Sequence, residues 1–578
     1  MWWKMAYSQK LENLLVISLE SSRTERRSSG DLSAGVDAER DIWEIIVKYY
    51  ARSEAEFVNL IKENYPDSEV TALLCNYAII VTSRDNINLI AGETMVEYIE
   101  KPKMLYYNLT NEKRESCIPA NAVAAPAYNE SDRIEGLSGK GVITAVIDTG
   151  IDVSDRAFRN EDGTTRIIRL WDQQGGRIYD DMDINDELVM RNNPAIYGDN
   201  QALFYDYSNH GINVCKIACG NDGVAYGSSI IFVKLRRADD GFTHTTDMMM
   251  AIDYCIRTAA ELGMPVAVNI SYGSNYGPHL ADDIQTAYIN DVGRVWKSLI
   301  CVGSGNEAQA SIHAYVEIAQ SETRTVELAV RDYEPDISFA IWFSALDDID
   351  VTLVSPGNVS YAFPKESMTV HRTRLADTQV ITYTGEAKPY SDAREVYVGL
   401  NGDAYVTSGL WKLIFRANYI KNGNFNIWLA SAVTLNQGTG FLRPSAELTF
   451  TIPSTADNVV TVGAYNGATM TPAAFSGRGY AVETGYVART KPDIVAPGEN
   501  VYVDVANVVT GTSFAVPFVT GSAALLMEWG IVNGNDAYMY GDKLKAALKK
   551  GAVQLPGQPI QSSVTGWGRL CLRNSIPL

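Results

Sequence analysis

At 578 residues and 63.5 kDa the chain is too long for a single small module; at about 100 to 200 residues per domain it predicts three to five domains, or one large domain carrying inserts. Apolar residues at 46% and charged residues at 20% supply core-forming material and exclude an overall disordered or fibrous chain. With 49 Lys and Arg against 69 Asp and Glu, the formal charge of -20 repels phosphate backbones, so neither nucleic acid nor anionic membrane is an expected partner.

The opening MWWKMAYSQKLENLLVISLESS lacks a basic region followed by a continuous apolar stretch and a small-residue cleavage site, so no secretion signal is expected. After a polar run (Ser21 to Gly35), DIWEIIVKYY and SEAEFVNLIKENY carry a helical pattern, and VTALLCNYAIIVTS and MVEYIE read as strands. These make a small α+β unit. The following KPKMLYYNLTNEKRESCIPANAVAAPAYNES, with three prolines and weak periodicity, has the profile of a linker, and a boundary is placed near Asn108.

From Gly139 the pattern changes. GVITAVIDTG, SSIIFVKLRRA, PVAVNISYG and SLICVGSGN are near-continuous apolar strands, alternating with helical stretches such as TTDMMMAIDYCIRTAAELG. That texture predicts an α/β fold, a parallel sheet covered by helices on both faces. After Asn306 come HAYVEIA, TRTVELAVRD, DISFAIWFS, DIDVTLVSPG, REVYVGL, AYVTSGLWKLIFRA and FNIWLAS, alternating apolar and polar positions as an antiparallel sandwich does, to about Arg443. The α/β texture resumes at NVVTVGAY, so one α/β domain is interrupted by an all-β insert, which a surface loop accommodates at about 0.6 kcal/mol per doubling of its length. No later stretch has the roughly 20 consecutive apolar residues of a membrane span.

The seven cysteines (Cys75, Cys117, Cys215, Cys219, Cys255, Cys301, Cys571) are scattered without a CxxC pair, which favours a reducing compartment over a disulfide framework. Cys215 and Cys219, four apart on a predicted helix, are read as packing residues. The acidic run DDMDINDELVM, Asp180 to Met190, lacks a DxDxDG pattern and is read as a solvated loop.

The strongest chemical signal is Gly511-Thr512-Ser513-Phe514-Ala515-Val516-Pro517, directly ahead of an apolar helix. A serine there sits where backbone N–H groups and the helix dipole favour negative charge. Its hydroxyl needs a positioned base, usually a histidine oriented by a carboxylate. Of the five histidines, His210 lies in Asn209-His210-Gly211 ahead of INVCKIACGN, while His244, His279, His313 and His371 have no comparable setting. Asp148 ends the strand VITAVID at the carboxyl edge of the sheet, where open α/β sheets place their active residues. The chain order Asp148, His210, Ser513 is the subtilisin order of a serine triad.

VIDTGID, NHGINV and GTSFAVP thus resemble the three signatures of subtilisin-like serine proteases. VGSGNE resembles the family's oxyanion-hole segment, which assigns Asn306 as oxyanion donor, and Ser271-Tyr272-Gly273 resembles the strand that pairs with the substrate backbone. Loss of one such donor costs about 100 to 1,000-fold in turnover. The catalytic resemblance covers about Gly139 to Asn306 and Pro444 to Leu578. The whole layout is similar to the clostridial germination subtilases, the Csp proteases, and their gut Clostridia relatives, on NYAIIVTS, VEYIEKP, NISYGSNYGPH, FSGRGY and KPDIVAPGENV.

The resemblance implies a prodomain over residues 1–108 acting as intramolecular chaperone and inhibitor, a catalytic domain over 109–308 and 444–578, and an inserted jelly-roll over 309–443. Self-cleavage is expected within Lys103 to Asn108. The expected partners are a protein or peptide substrate and the chain's own prodomain in the cleft. No cofactor is required by this chemistry; structural calcium, which family members often carry, stays unassigned. The expected location is the cytoplasm or the spore, and a spore cortex-lytic zymogen is one substrate the resemblance suggests. The chain departs from the family where HGTH is usual: Ile212 and Asn213 follow His210 and Gly211, and the bulkier Cys215 and Lys216 come next. Two readings therefore stay open, an active serine endopeptidase and a catalytically weak subtilase-like binding or regulatory protein.

Overall fold

The computed structural model describes residues 8–107, 136–191, 206, 208–279, 283–388, 391–484, 487–504 and 507–577. In the N-terminal unit, an antiparallel sheet of Val36–Asp37, Ile42–Tyr49, Tyr77–Ser83, Glu69–Leu73 and Val96–Glu100 packs against helices that include Asn13–Glu20 and Glu54–Asn64. DIWEIIVKYY, expected to be helical, is instead the strand Ile42–Tyr49. Ile42, Ile45, Ile46 and Val47 are β-branched, and the segment is bonded to Val36–Asp37, Tyr77–Ser83 and Val96–Glu100. Those ladders and the stiff side chains outweigh a weak local helical pattern.

The α/β domain is built on a mainly parallel sheet in the order Arg177–Asp180, Ile167–Asp172, Ser229–Lys234, Ile143–Asp148, Val266–Ile270, Ser298–Gly303, Val459–Asn466. Ile494–Glu499 and Thr471–Pro472 both pair with the last strand. Only Arg177–Asp180 and Thr471–Pro472, at the margins, run antiparallel. The central strand is buried on both faces, and its period-2 alternation divides its side chains. Val146 enters the core under helices His210–Cys219 and Thr512–Met527, while Ile143, Ala145 and Ile147 enter the core under Thr245–Glu261 and Ile284–Val292.

The acidic run expected to be a loop is the helix Asp181–Arg191. Its Ile184 and Leu188, one helical turn apart, are buried in the first of those cores, and the Asp180 carboxylate accepts from the Asp183 N–H at 2.9 Å as a cap. The helix Thr512–Met527 continues to Val532, long and apolar enough to cross a bilayer by length and composition; 83% of its most apolar stretch is buried inside the fold.

Between the neighbouring strands Ser298–Gly303 and Val459–Asn466 the chain makes two antiparallel sheets, one of six strands and one of five. Phe339, Ile341 and Phe343 of one share a core with Val351, Leu353 and Phe415 of the other, the packing of a sandwich. Trp428 of the insert stacks on His279 and His313, ring centroids at 4.3 and 4.9 Å. Burial pushes His279 down to about 4, so its stack on Trp428 is between uncharged rings at neutral pH. The buried Glu395 of the insert accepts from Asn13 Nδ2 at 2.8 Å and from the Tyr276 hydroxyl at 2.5 Å, so one carboxyl group ties together the N-terminal unit, the α/β domain and the insert.

Candidate active site

The carboxyl edge of the parallel sheet brings together Asp148, His210, Ser271, Tyr272, Gly273, Asn306 and Ser513. Asp148 is the last residue of its strand and fully buried. Its Oδ1 accepts from the Thr149 N–H at 2.7 Å and lies 2.6 Å from His210 Nδ1. A carboxylate can only accept, so the imidazole proton sits on Nδ1 and Nε2 is the basic nitrogen; Nε2 has no partner among the described residues.

His210 opens the helix His210–Cys219, preceded by Asn209 in the left-handed region (φ 58°) and lacking a side-chain cap from it. The buried Asp206 supplies one, accepting from the Ile212 N–H at 3.2 Å and the Ser208 N–H at 2.9 Å. Asp206 also accepts from the Thr149 hydroxyl at 2.8 Å, and Thr149 Oγ1 accepts from the Gly211 N–H at 3.1 Å. A Cβ on Gly211 would stand 2.3 Å from the Gly150 carbonyl and 3.1 Å from Asp148 Cβ, so glycine is what lets the helix approach the strand closely enough for the imidazole to meet the carboxylate.

The residues that depart from the usual pattern have found partners. Asn213 Oδ1 accepts from Asn507 Nδ2 at 2.7 Å, and Lys216 pairs with Asp155 at 2.8 Å. Cys215 is buried with its Sγ 3.7 Å from that of Cys219. The helix is repacked around these contacts and still delivers His210 to Asp148.

Ser513 is the second residue of the helix Thr512–Met527, behind Gly511, whose φ of 151° is open to glycine. Ser513 Oγ donates to the Ser271 carbonyl at 3.3 Å, and Ser271 Oγ donates to the Ser513 carbonyl at 3.2 Å. The Phe514 ring lies 5.3 Å from the His210 ring. Asn306 Oδ1 accepts from both the N–H and the hydroxyl of Thr512, at 3.0 and 3.1 Å. Those bonds orient the amide: Nδ2 is buried at the head of the helix with no partner among the described residues.

Tyr272 and Gly273 form one wall of the cleft, and the opposite wall is Thr243–His244. The strand Met104–Tyr107 of the N-terminal unit lies between them, antiparallel to both. Leu105 faces Thr243, Tyr106 faces Gly273, Tyr107 faces Tyr272, and the Tyr107 ring is 5.3 Å from that of His210. KMLYYN, read as the end of a unit running into a linker, is therefore a paired strand as far as Tyr107; Asn108 lies outside the described residues. Its pairing is entirely tertiary, which is why local periodicity did not reveal it.

Sequence reasoning missed Thr149, Asp206, Asn275, Glu307 and Thr451. Thr149, Glu307 and Asn275 lie beside singled-out residues in VIDTG, SGNE and NISYGSNYGPH, and that proximity was the available signal; Asp206 and Thr451 carry none. Among the described residues no group of three or more His, Cys, Asp or Glu side chains is placed to hold a metal ion.

Residues 139–385 and 422–568 match the subtilase family, and residues 9–103 match the Csp protease B prodomain. Among solved structures, the Clostridium perfringens CspB protease is 31% identical and superposes with a TM-score of 0.71, covering 78% of this chain and 97% of that one. Subtilisin-like protease 4 of Trichophyton equinum is 21% identical over 294 residues, 49% of this chain and 64% of the relative. The chain thus spans under two thirds of the length of such curated relatives. Pyrolysin of Pyrococcus furiosus is 36% identical over 91 residues, 15% of this chain and 6% of pyrolysin.

Proposed function

The chain belongs to the subtilase family, and on that premise we propose that it is a serine endopeptidase that cuts its own N-terminal unit free and keeps it bound as an inhibitor. In this reading His210 Nε2 takes the proton from Ser513 Oγ as the oxygen attacks a peptide carbonyl carbon. Asp148 holds the proton of His210 on Nδ1 and balances the imidazolium. Asn306 Nδ2 and the Ser513 N–H donate to the oxyanion, and His210 returns the proton to the leaving amine as the C–N bond breaks. Water, activated by the same nitrogen, then attacks the acyl-enzyme ester and restores Ser513.

The observation that carries the reading is the register in the cleft. Tyr106 stands opposite Gly273 and Tyr107 opposite Tyr272; one further step of an extended chain comes opposite Ser271, whose carbonyl accepts from Ser513 Oγ. A cleft that pairs with main chain on both sides suits cleavage within an extended polypeptide. It also supports a cut after Asn108. The same reading divides the chain into a prodomain to residue 108, a catalytic domain over 109–308 and 444–578, and a jelly-roll over 309–443. The likeness of residues 9–103 to the Csp prodomain supports a spore cortex-lytic zymogen as cellular substrate, with the protein kept in the cytoplasm or packaged in the spore. Its presence in growing cells and absence from spores would count against that role.

A fluorophosphonate probe tests the chemistry. Labelling that disappears in Ser513→Ala is expected once the cut N-terminal unit is displaced from the cleft; equal labelling of both, or none of either after that displacement, would favour a binding or regulatory protein.

A further inference from the structure

A pocket opens beside Tyr107 and Asn306, next to the position opposite Ser271 that the residue preceding the cut bond takes in the reading above. Its wall carries Asn275, Glu307 and Thr451, all three buried, with Ser431 and Val433 contributed by the β-insert. The Asn275 side chain hydrogen-bonds Glu307. That leaves Asn275 Oδ1, Glu307 Oε2 and Thr451 Oγ1 without partners among the described residues. Three open polar atoms in one small buried space are costly unless something fills it with complementary groups. Thr451 is held there by close packing: a Cβ on Gly273 would come within 2.3 Å of its Oγ1, and one on Gly305 within 2.8 Å of its Cγ2.

We infer that this pocket selects a carboxamide side chain, asparagine or glutamine, on the amino side of the cleaved bond, with Glu307 as the specificity-determining residue. The inference rests on the endopeptidase reading above. A carboxamide offers two N–H donors to Asn275 Oδ1 and Glu307 Oε2 and a carbonyl oxygen to the Thr451 hydroxyl, so all three are satisfied together. An apolar side chain satisfies none, and a carboxylate meets two acceptors. Burial pushes Glu307 up to about 7 against the Asn275 hydrogen bond, which weakens it as a counter-charge for lysine or arginine. Independently of the pocket, the residue that follows Tyr107 in the sequence is Asn108, a carboxamide.

Self-cleavage of the full-length protein, followed by intact mass over time, tests this. Wild type and Asn108→Gln are expected to be cut after residue 108 at rates within about tenfold of each other. Asn108→Leu and Asn108→Lys are expected to slow at least about 100-fold, as sites built to hydrogen-bond a substrate reject analogues that lack the group. Glu307→Leu is expected to restore cutting of Asn108→Leu while slowing that of the native tail, a reversal that loss of structure alone would not produce. If Glu307→Leu fails to fold, the Asn108 series decides alone. Ser513-dependent cutting of Asn108→Leu or Asn108→Lys at the wild-type rate would overturn the inference and leave the protease reading intact. Absence of any Ser513-dependent cut in wild type would overturn both.

Discussion

Replacing His210 by alanine is expected to lower kcat/KM for peptide hydrolysis by about a million-fold, the scale set by removal of a triad base. The substitution takes away the nitrogen that accepts the Ser513 proton and returns it to the leaving amine. It leaves Asp148 buried with the Thr149 N–H as a remaining donor to Oδ1. Asp148→Asn is expected to cost about ten-thousand-fold, because an amide that donates to Nδ1 would place the proton on Nε2, the wrong nitrogen for a base. Combining His210→Ala with Ser513→Ala is expected to add almost nothing to either single change, since the two act in one proton transfer. Steady-state rates measured on the four variants, Ser513→Ala alone included, with thermal unfolding as a control for folding, check this; a loss under tenfold in His210→Ala would contradict the assigned role.

Asp493→Ala is expected to destabilise the fold by about 3 to 5 kcal/mol without touching the cleft. Asp493 is 1% exposed and stands among three lysine amino groups, Lys491 at 3.3 Å, Lys545 at 3.2 Å and Lys549 at 2.6 Å, while accepting from the Thr461 N–H at 2.8 Å. Lys491 and Lys545 are themselves buried and donate to backbone carbonyls: Lys491 to Ala456, Lys545 to Asp457 and Val459. Removing the one carboxylate leaves Lys545 and Lys549 facing one another in a low-dielectric site, and leaves Lys491, which burial already pushes down to about 7, without its counter-charge. Burial opposes ionisation of Asp493, but the lysines outweigh it and hold the carboxyl well below the usual range. A depressed folded-state value means that the contribution is fully present above the ordinary carboxylate range near pH 4 and is lost as pH falls through the folded value. Unfolding free energies from denaturant titration of wild type and Asp493→Ala should differ at pH 7 by about 3 to 5 kcal/mol and converge in acid; a difference below about 1 kcal/mol at pH 7 would contradict the account.

What was legible in the sequence was legible for local reasons. Asp148 closes a strand that is apolar but for Thr144, His210 sits between Asn209 and Gly211 at a helix start, and Ser513 follows Gly511-Thr512 ahead of an apolar helix. Each leaves a short-range trace of the backbone it needs, and chain order joined the three. The parallel sheet and the β-insert were legible because their periodicities differ. What escaped depended on partners distant in sequence. Ile42–Tyr49 resembles a helix until its neighbouring strands are known, and Asp181–Arg191 resembles a solvated loop until Ile184 and Leu188 are seen packed against the sheet. Met104–Tyr107 pairs with residues more than a hundred positions away. Asp206 caps the His210 helix from outside it, and the open oxygen of Glu307 has meaning only beside Asn275 and Thr451.

The central claim is that Ser513 is a working nucleophile to which the chain presents its own tail. Intact mass of the purified full-length protein beside Ser513→Ala tests it most directly. The account predicts two fragments in wild type, broken after Asn108, and a single uncut chain in Ser513→Ala. One full-length mass in both proteins, or the same break in both, would contradict it.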